Sequence, residues 1–187
     1  SGPRPAYGCA ELADDIAVFM DALGLPQAVL VGHSFGGQVI QHFAARHPGR
    51  LLALVLCNSV AATVEPDGLT PEAETRINGY GSPADNRALF AVSIPRYFDA
   101  ANVSPGDVEY FIGIALQADN CALRETLIAN YATPALPPQQ FERLRAPVLI
   151  VMSTHDPFSP FEHAAAMSDA FPASRIEVIA RCGHTPM

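Results

Sequence analysis

The stretch AVLVGHSFGGQVI, Ala28 to Ile40, constrains the fold more than any other part of the chain. AVLVG is a short apolar run without alternation, which predicts a strand covered on both faces. GGQVIQHFAARHPG follows at once as a helical pattern that Pro48 and Gly49 stop. A strand that turns so abruptly into a helix crowds its backbone atoms, and Gly32 and Gly36 tolerate the approach and the dihedrals it needs. Gly37 adds room against the neighbouring strand. Gly32, His33, Ser34, Phe35 and Gly36 thus fit G-x-S-x-G at a strand-to-helix corner, the geometry that projects a serine hydroxyl. The helix behind it aims N–H groups and the positive end of its dipole at that hydroxyl. The plainer alternative is a glycine-rich turn with an incidental serine.

The remaining pattern predicts one α/β domain around this corner. The 187 residues are 49% hydrophobic, enough for one sizeable core. AELADDIAVFMDALG places Leu12, Ile16, Phe19, Met20 and Leu23 on one helical face, and LLALVLCNS reads as a second buried strand. From Ala62 to Glu142 the character changes: prolines and aromatics concentrate, helix-like pieces such as DVEYFIGIALQ appear, and no strand-like run stands out. We read 62–142 as an inserted helical cap, with 1–61 and 143–187 forming the core. APVLIVMS, SPFEHAAAMSDAFP and SRIEVIA then restore strand, helix and strand. Such alternation implies a parallel sheet with helices on both faces.

Composition excludes several classes of partner. A formal charge of −8 with no basic run argues against nucleic acid and anionic membranes. The longest apolar stretch, Leu51 to Cys57, is too short to cross a bilayer. Cys9, Cys57, Cys121 and Cys182 are scattered, with no metal-ligand spacing. Reduced thiols, a cytoplasmic location and no metal or organic cofactor are the expectation, with two disulfides in a secreted chain as the alternative.

An alcohol is a poor nucleophile near neutral pH, so Ser34 needs an imidazole to accept its proton. Six histidines compete. His33 lies inside the corner and should point away from Ser34; His42 and His47 fall on the next helix as surface or packing residues. His155 directly precedes Asp156, and His163 sits in a helix. His184, in ARCGHTPM, follows the last strand, where an open α/β sheet places its ligand groups. His184 is the candidate base. Asp156, in VMSTHDPFSP, follows the preceding strand and is the candidate carboxylate to orient it; an Asp before Pro157 could alternatively only shape the turn. The second strand's loop offers Asn58 and Ser59 but no acid.

The order Ser34, Asp156, His184 is that of the α/β-hydrolase arrangement. VGHSFGG, STHDPFSP and CGHTPM, with LVLCNS and the helical insertion, resemble the α/β-hydrolase superfamily along nearly the whole chain. The likeness is greatest to its smaller esterase, enol-lactonase and C–C-bond-hydrolase branches. The resemblance implies that Ser34 attacks a carbonyl, His184 relays the proton, Asp156 orients His184, and the Phe35 N–H is one oxyanion donor. A serine nucleophile separates this chain from the branches that use an aspartate.

The resemblance also implies strands before the corner strand, including a loop that supplies a second oxyanion donor, and a closing helix after the histidine. This sequence shows neither; SGPRPAYGCAELADD looks like the stretch just after those strands. One lost donor costs about a hundred- to a thousandfold in turnover, and an uncovered sheet edge invites self-association. A fragment, a degenerate member and a self-associating half all fit these departures. Cap aromatics, among them Tyr80, Tyr97, Phe98, Phe111 and Tyr131, suggest a small or medium apolar substrate between cap and core. No arginine is clearly placed as a carboxylate clamp, Arg96 beside Tyr97 being the nearest candidate. The expected function is hydrolysis of a carboxylic ester or lactone. Acyl transfer or C–C bond hydrolysis on the same three residues, and a non-catalytic binding protein, are the alternatives.

Overall fold

The structure, a computed structural model, describes residues 7–66 and 68–187. Residues 1–6, assigned above to the core, and Asp67, assigned to the cap, lie outside the described residues. The chain begins with α1 (Cys9–Ala22), then alternates β1 (Ala28–His33), α2 (Phe35–Arg46) and β2 (Leu51–Cys57). Four helices follow: α3 (Pro71–Gly79), α4 (Pro83–Ser93), α5 (Pro105–Ala115) and α6 (Asn120–Ala132). β3 (Val148–Ser153), α7 (Glu162–Ala170) and β4 (Ser174–Ile179) complete the sequence of elements. Among the described residues the strands form one parallel sheet in the order β1-β2-β3-β4. Every strand therefore delivers its carboxyl-end loop to the same edge of the molecule, where such sheets place ligand groups.

Leu54 and Leu56 on β2, Ile150 and Met152 on β3, and Phe43 on α2 are essentially fully buried in the main core. Phe141 and Phe171 meet edge to face there, with ring centroids 4.6 Å apart. α1 keeps Met20 and Ile16 of the predicted face against the core but departs from it elsewhere. Cys9, Ala13, Ala17 and Met20 are buried, whereas Phe19 is 63% exposed and Leu23 is 56% exposed. The reason is the helix pair: α1 packs on α2, and small residues let the two backbones approach where large ones would hold them apart. β1 also departs from expectation. Ala28 and Leu30 join the core beside α1 and α2, but Val29 and Val31 are 53% and 67% exposed, so only one face of β1 is covered among the described residues.

The helices between β2 and β3 carry an apolar centre of their own, formed by Tyr80, Phe90, Ile94 and Ile112 with Phe98 and Phe111 packed against it. The proline richness of this region has a local cause. Thr70, Ser82 and Ser104 cap α3, α4 and α5 through their side-chain oxygens, and Pro71, Pro83 and Pro105 stand at the first helical positions. A first-turn residue has no intrahelical acceptor for its N–H, so proline sacrifices nothing there. No helix among the described residues is long and apolar enough to cross a membrane.

Candidate active site

Ser34 lies between the end of β1 and the start of α2 with φ 52° and ψ −123°. A non-glycine residue pays about 1–3 kcal/mol for such a conformation, and it persists only where its surroundings over-determine it. Here they do. The Ser34 N–H donates to the Cys57 carbonyl at 3.0 Å, and its own carbonyl accepts from the Gly37 N–H at 2.9 Å and the Ser59 hydroxyl at 3.0 Å. The two glycines of the motif differ in purpose. A Cβ on Gly32 would stand 2.5 Å from the Gly36 carbonyl oxygen, so that position has no room for a side chain. A Cβ on Gly36 would meet nothing within 4 Å, contrary to the expectation that both flanks need glycine. The strain falls on Ser34 itself, and Gly36 only offers its backbone to Gly32.

His184 Nε2 lies 2.8 Å from Ser34 Oγ, and His184 Nδ1 lies 2.8 Å from Asp156 Oδ2. The Asp156 side chain is fully buried. Its Oδ1 accepts from the N–H groups of Phe158 at 2.8 Å and Ser159 at 3.2 Å, which leaves Oδ2 to receive the imidazole. An ionised carboxylate can only accept, so Nδ1 carries the proton and the Nε2 lone pair faces Ser34. The three residues singled out by the sequence are thus joined in one hydrogen-bonded line.

Sequence reasoning missed what holds His184 in place. Asn58, on the loop after β2, directs Nδ2 at Ser153 Oγ (2.8 Å) and at the carbonyls of Gly183 (3.0 Å) and His184 (2.9 Å). His33 was expected only to point away from Ser34. Its Nε2–H donates to the His184 carbonyl at 2.6 Å, its ring stands 4.8 Å from the His184 ring, and burial holds its pKa below 6.5. Phe158 and Tyr97 flank the imidazole, with centroids 5.1 and 5.7 Å away. Gly183 permits this closeness, since a Cβ there would stand 2.7 Å from the Phe98 carbonyl carbon. The remaining histidines divide. His155 pairs with Asp99 at 2.6 Å and His47 with Asp14 at 2.9 Å, away from Ser34. His42, expected at the surface or in packing, is buried and lines the same cavity as Ser34, as does His163.

That cavity encloses about 780 Å³, and its wall includes Ser34, Phe35 and His184 from the core together with Tyr80, Tyr97, Leu123, Leu127 and Tyr131 from the intervening helices. Phe35 is the first residue of α2, so its N–H has no intrahelical acceptor and stands beside Ser34 at the positive end of the helix. Arg96, the nearest candidate for a carboxylate clamp, is engaged elsewhere: it pairs with Glu72 and lies over the Phe158 ring at 5.3 Å. Arg76 is the arginine that lines the cavity, with Nη2 donating to the Tyr97 hydroxyl at 2.8 Å. Among the described residues no group of three or more His, Cys, Asp or Glu side chains could hold a metal ion.

A family model described as "Alpha/beta hydrolase family" matches residues 1–187. Curated relatives include a non-heme chloroperoxidase of Streptomyces lividans, 29% identical over 178 residues, covering 89% of this chain and 63% of the relative. A 2-hydroxy-6-oxo-2,4-heptadienoate hydrolase of Pseudomonas putida is 28% identical over 185 residues, covering 95% of this chain and 64% of its own. The chain therefore spans somewhat less than two thirds of the length of these relatives. Among solved structures, an esterase from Thermogutta terrifontis is 29% identical with a TM-score of 0.76, covering 96% of this chain and 66% of that one. An esterase from Exiguobacterium antarcticum reaches a TM-score of 0.83 at 22% identity, covering 97% and 69%, and shares the fold. A match along the whole chain, joined to the strained serine corner and the parallel sheet, places this protein in the alpha/beta hydrolase family.

Proposed function

We propose that the chain is a serine hydrolase that cleaves a small or medium apolar carboxylic ester or lactone through an acyl-enzyme. The observation that supports this most is the line Ser34 Oγ, His184, Asp156, with both contacts at 2.8 Å, opening into a largely apolar cavity. Ser34 Oγ attacks the acyl carbonyl while His184 Nε2 takes its proton, and Asp156 stabilises the imidazolium that results. The Phe35 N–H donates to the oxyanion, a contact that contributes about 2.7–4 kcal/mol where it forms. Collapse expels the alcohol, which leaves with the proton from His184. Water then repeats the sequence on the acyl-serine, releasing the acid and restoring Ser34. The helices between β2 and β3 serve as a cap over the acyl group.

A second reading, C–C bond hydrolysis on the same residues, draws on the two Pseudomonas putida relatives, hydrolases of 2-hydroxy-6-oxo-2,4-heptadienoate and of 2-hydroxymuconate semialdehyde, at 28% and 27% identity. Incubation with p-nitrophenyl esters, lactones and a vinylogous diketone, with mass analysis of the products, separates the readings. Ester or lactone cleavage to free acid, lost in Ser34→Ala, is expected. Cleavage of the diketone alone would favour the second reading, and acyl products with an added alcohol would indicate transfer. Ligand binding that survives Ser34→Ala, with no turnover by the parent chain, would instead identify a binding protein.

A further inference from the structure

Arg76 sits half-buried on α3 in the cavity wall, and its circumstances differ from those of the arginines engaged in side-chain ion pairs. Arg46, Arg50, Arg87, Arg96 and Arg175 each face a carboxylate. Arg76 faces none among the described residues. Its hydrogen-bond partner is the Tyr97 hydroxyl at 2.8 Å, with the Tyr80 phenol also beside it, and its buried Nε–H finds no acceptor among the described residues. Glu65, the one carboxylate among the described residues lining the cavity, is exposed and approaches the Ala135 N–H at 3.4 Å rather than the guanidinium. A guanidinium drawn out of water without an anion is costly, and phenols satisfy its donors without balancing its charge. A ligand carrying an anion would supply the complement that the described residues do not.

The position says how far from the reacting carbonyl that anion would lie. Tyr97 spans the gap: its hydroxyl meets Arg76, and its ring stands 5.7 Å from the His184 ring. The cation and the reacting serine therefore border one cavity, separated by about one tyrosine side chain, with Leu123 and Leu127 supplying apolar wall. The guanidinium fork matches the two oxygens of a planar carboxylate, an anion small enough to share this largely apolar cavity with an acyl chain. We propose that Arg76 is a specificity residue that binds a carboxylate at the far end of the acyl chain, so that the substrate is a half-ester, or an equivalent monoanion, of a dicarboxylic acid. This deepens the hydrolase reading above and rests on that reading for the reaction, though not for the binding.

The test compares p-nitrophenyl hemiadipate with its uncharged methyl-capped counterpart. For the parent chain kcat/KM is expected to favour the hemiester about ten- to hundredfold, the range of a charge-assisted pair. Arg76→Met and Arg76→Gln are expected to bring that ratio near unity, and Arg76→Lys to keep part of it. No preference in the parent, or a preference that survives Arg76→Met, would overturn the proposal. Binding of adipate to Ser34→Ala and to Ser34→Ala/Arg76→Met, followed by calorimetry, separates this proposal from the hydrolase reading. Binding lost only with Arg76 upholds the carboxylate site even if neither ester turns over. Equal or absent binding in both, with each variant folded by circular dichroism, refutes it.

Discussion

A single amide organises much of the site. Asn58 stands at φ 41°, another non-glycine residue in left-handed backbone, and its Nδ2 serves the carbonyls of both Gly183 and His184. Asn58→Ala would leave these carbonyls without that donor. A stability loss of about 1–3 kcal/mol is expected, together with a fall in kcat for ester hydrolysis that exceeds any change in KM. A kcat equal to the parent's would show that His184 keeps its position without Asn58. His42 makes a prediction about pH. Burial is the largest influence on it and holds its folded pKa below 6.5, so the unfolded chain binds the proton more readily. Stability is therefore expected to be full above pH 6.5 and to fall as pH drops from there toward the folded value, by up to about 1.4 kcal/mol per pH unit. Urea midpoints of the parent and His42→Gln across this window check it: the variant's pH slope should be smaller. Ser34, Asp156 and His184 were legible in the sequence because each carries a local signal, a glycine-flanked corner or a polar residue just past a strand. Asn58 also follows a strand, but as an amide it fails a search for an acid, and His33 and Arg76 carry no local signal. The partners of Asn58 and His33 lie far along the chain and meet them only in the folded sheet. Arg76 matters only because its helix lines the same cavity as Ser34.

At the scale of elements, the sequence told where strands and helices lie better than it told which way they face. Helix α1 shows why. Its apolar residues are numerous enough to draw more than one stripe, and size alone favours Phe19 and Leu23 for the core. The stripe that packs is Cys9, Ala13, Ala17 and Met20, because it meets another helix at close range. Ala17→Leu is thus expected to cost about 1–3 kcal/mol through overpacking, whereas Phe19→Glu should change stability by no more than about 0.5 kcal/mol. Urea unfolding of the two variants decides between the faces; the reverse ranking would restore the Phe19 face to the core. The run AVLVG in β1 was equally ambiguous, since apolar residues without alternation look alike whether one face is covered or two. By contrast, the helical character of the region between β2 and β3 could be read in advance from its helix-like pieces and the lack of a strand-like run. The hydroxyl-proline starts of α3, α4 and α5 are a further local signal, one on which that expectation does not draw.

At the scale of the whole molecule, the four loops after the parallel strands converge on one site: Ser34 after β1, Asn58 after β2, Asp156 after β3 and His184 after β4. The helices between β2 and β3 are tied to that edge where the Thr185 N–H meets the Tyr97 carbonyl at 2.9 Å and where His155 meets Asp99. The opposite concern is β1, whose exposed Val29 and Val31 lie on an edge strand that pairs on one side only among the described residues. Such an edge templates association. Sedimentation of this chain is expected to show concentration-dependent self-association that Val31→Lys weakens; a monomer at every concentration would contradict it. The central claim, that Ser34, His184 and Asp156 assemble a reactive serine, is tested most directly by intact mass after exposure to a fluorophosphonate. A single adduct mapped to Ser34, absent from Ser34→Ala and from the denatured chain, is the expected result. No adduct on a chain that circular dichroism shows to be folded, or an adduct on a different hydroxyl, would contradict it.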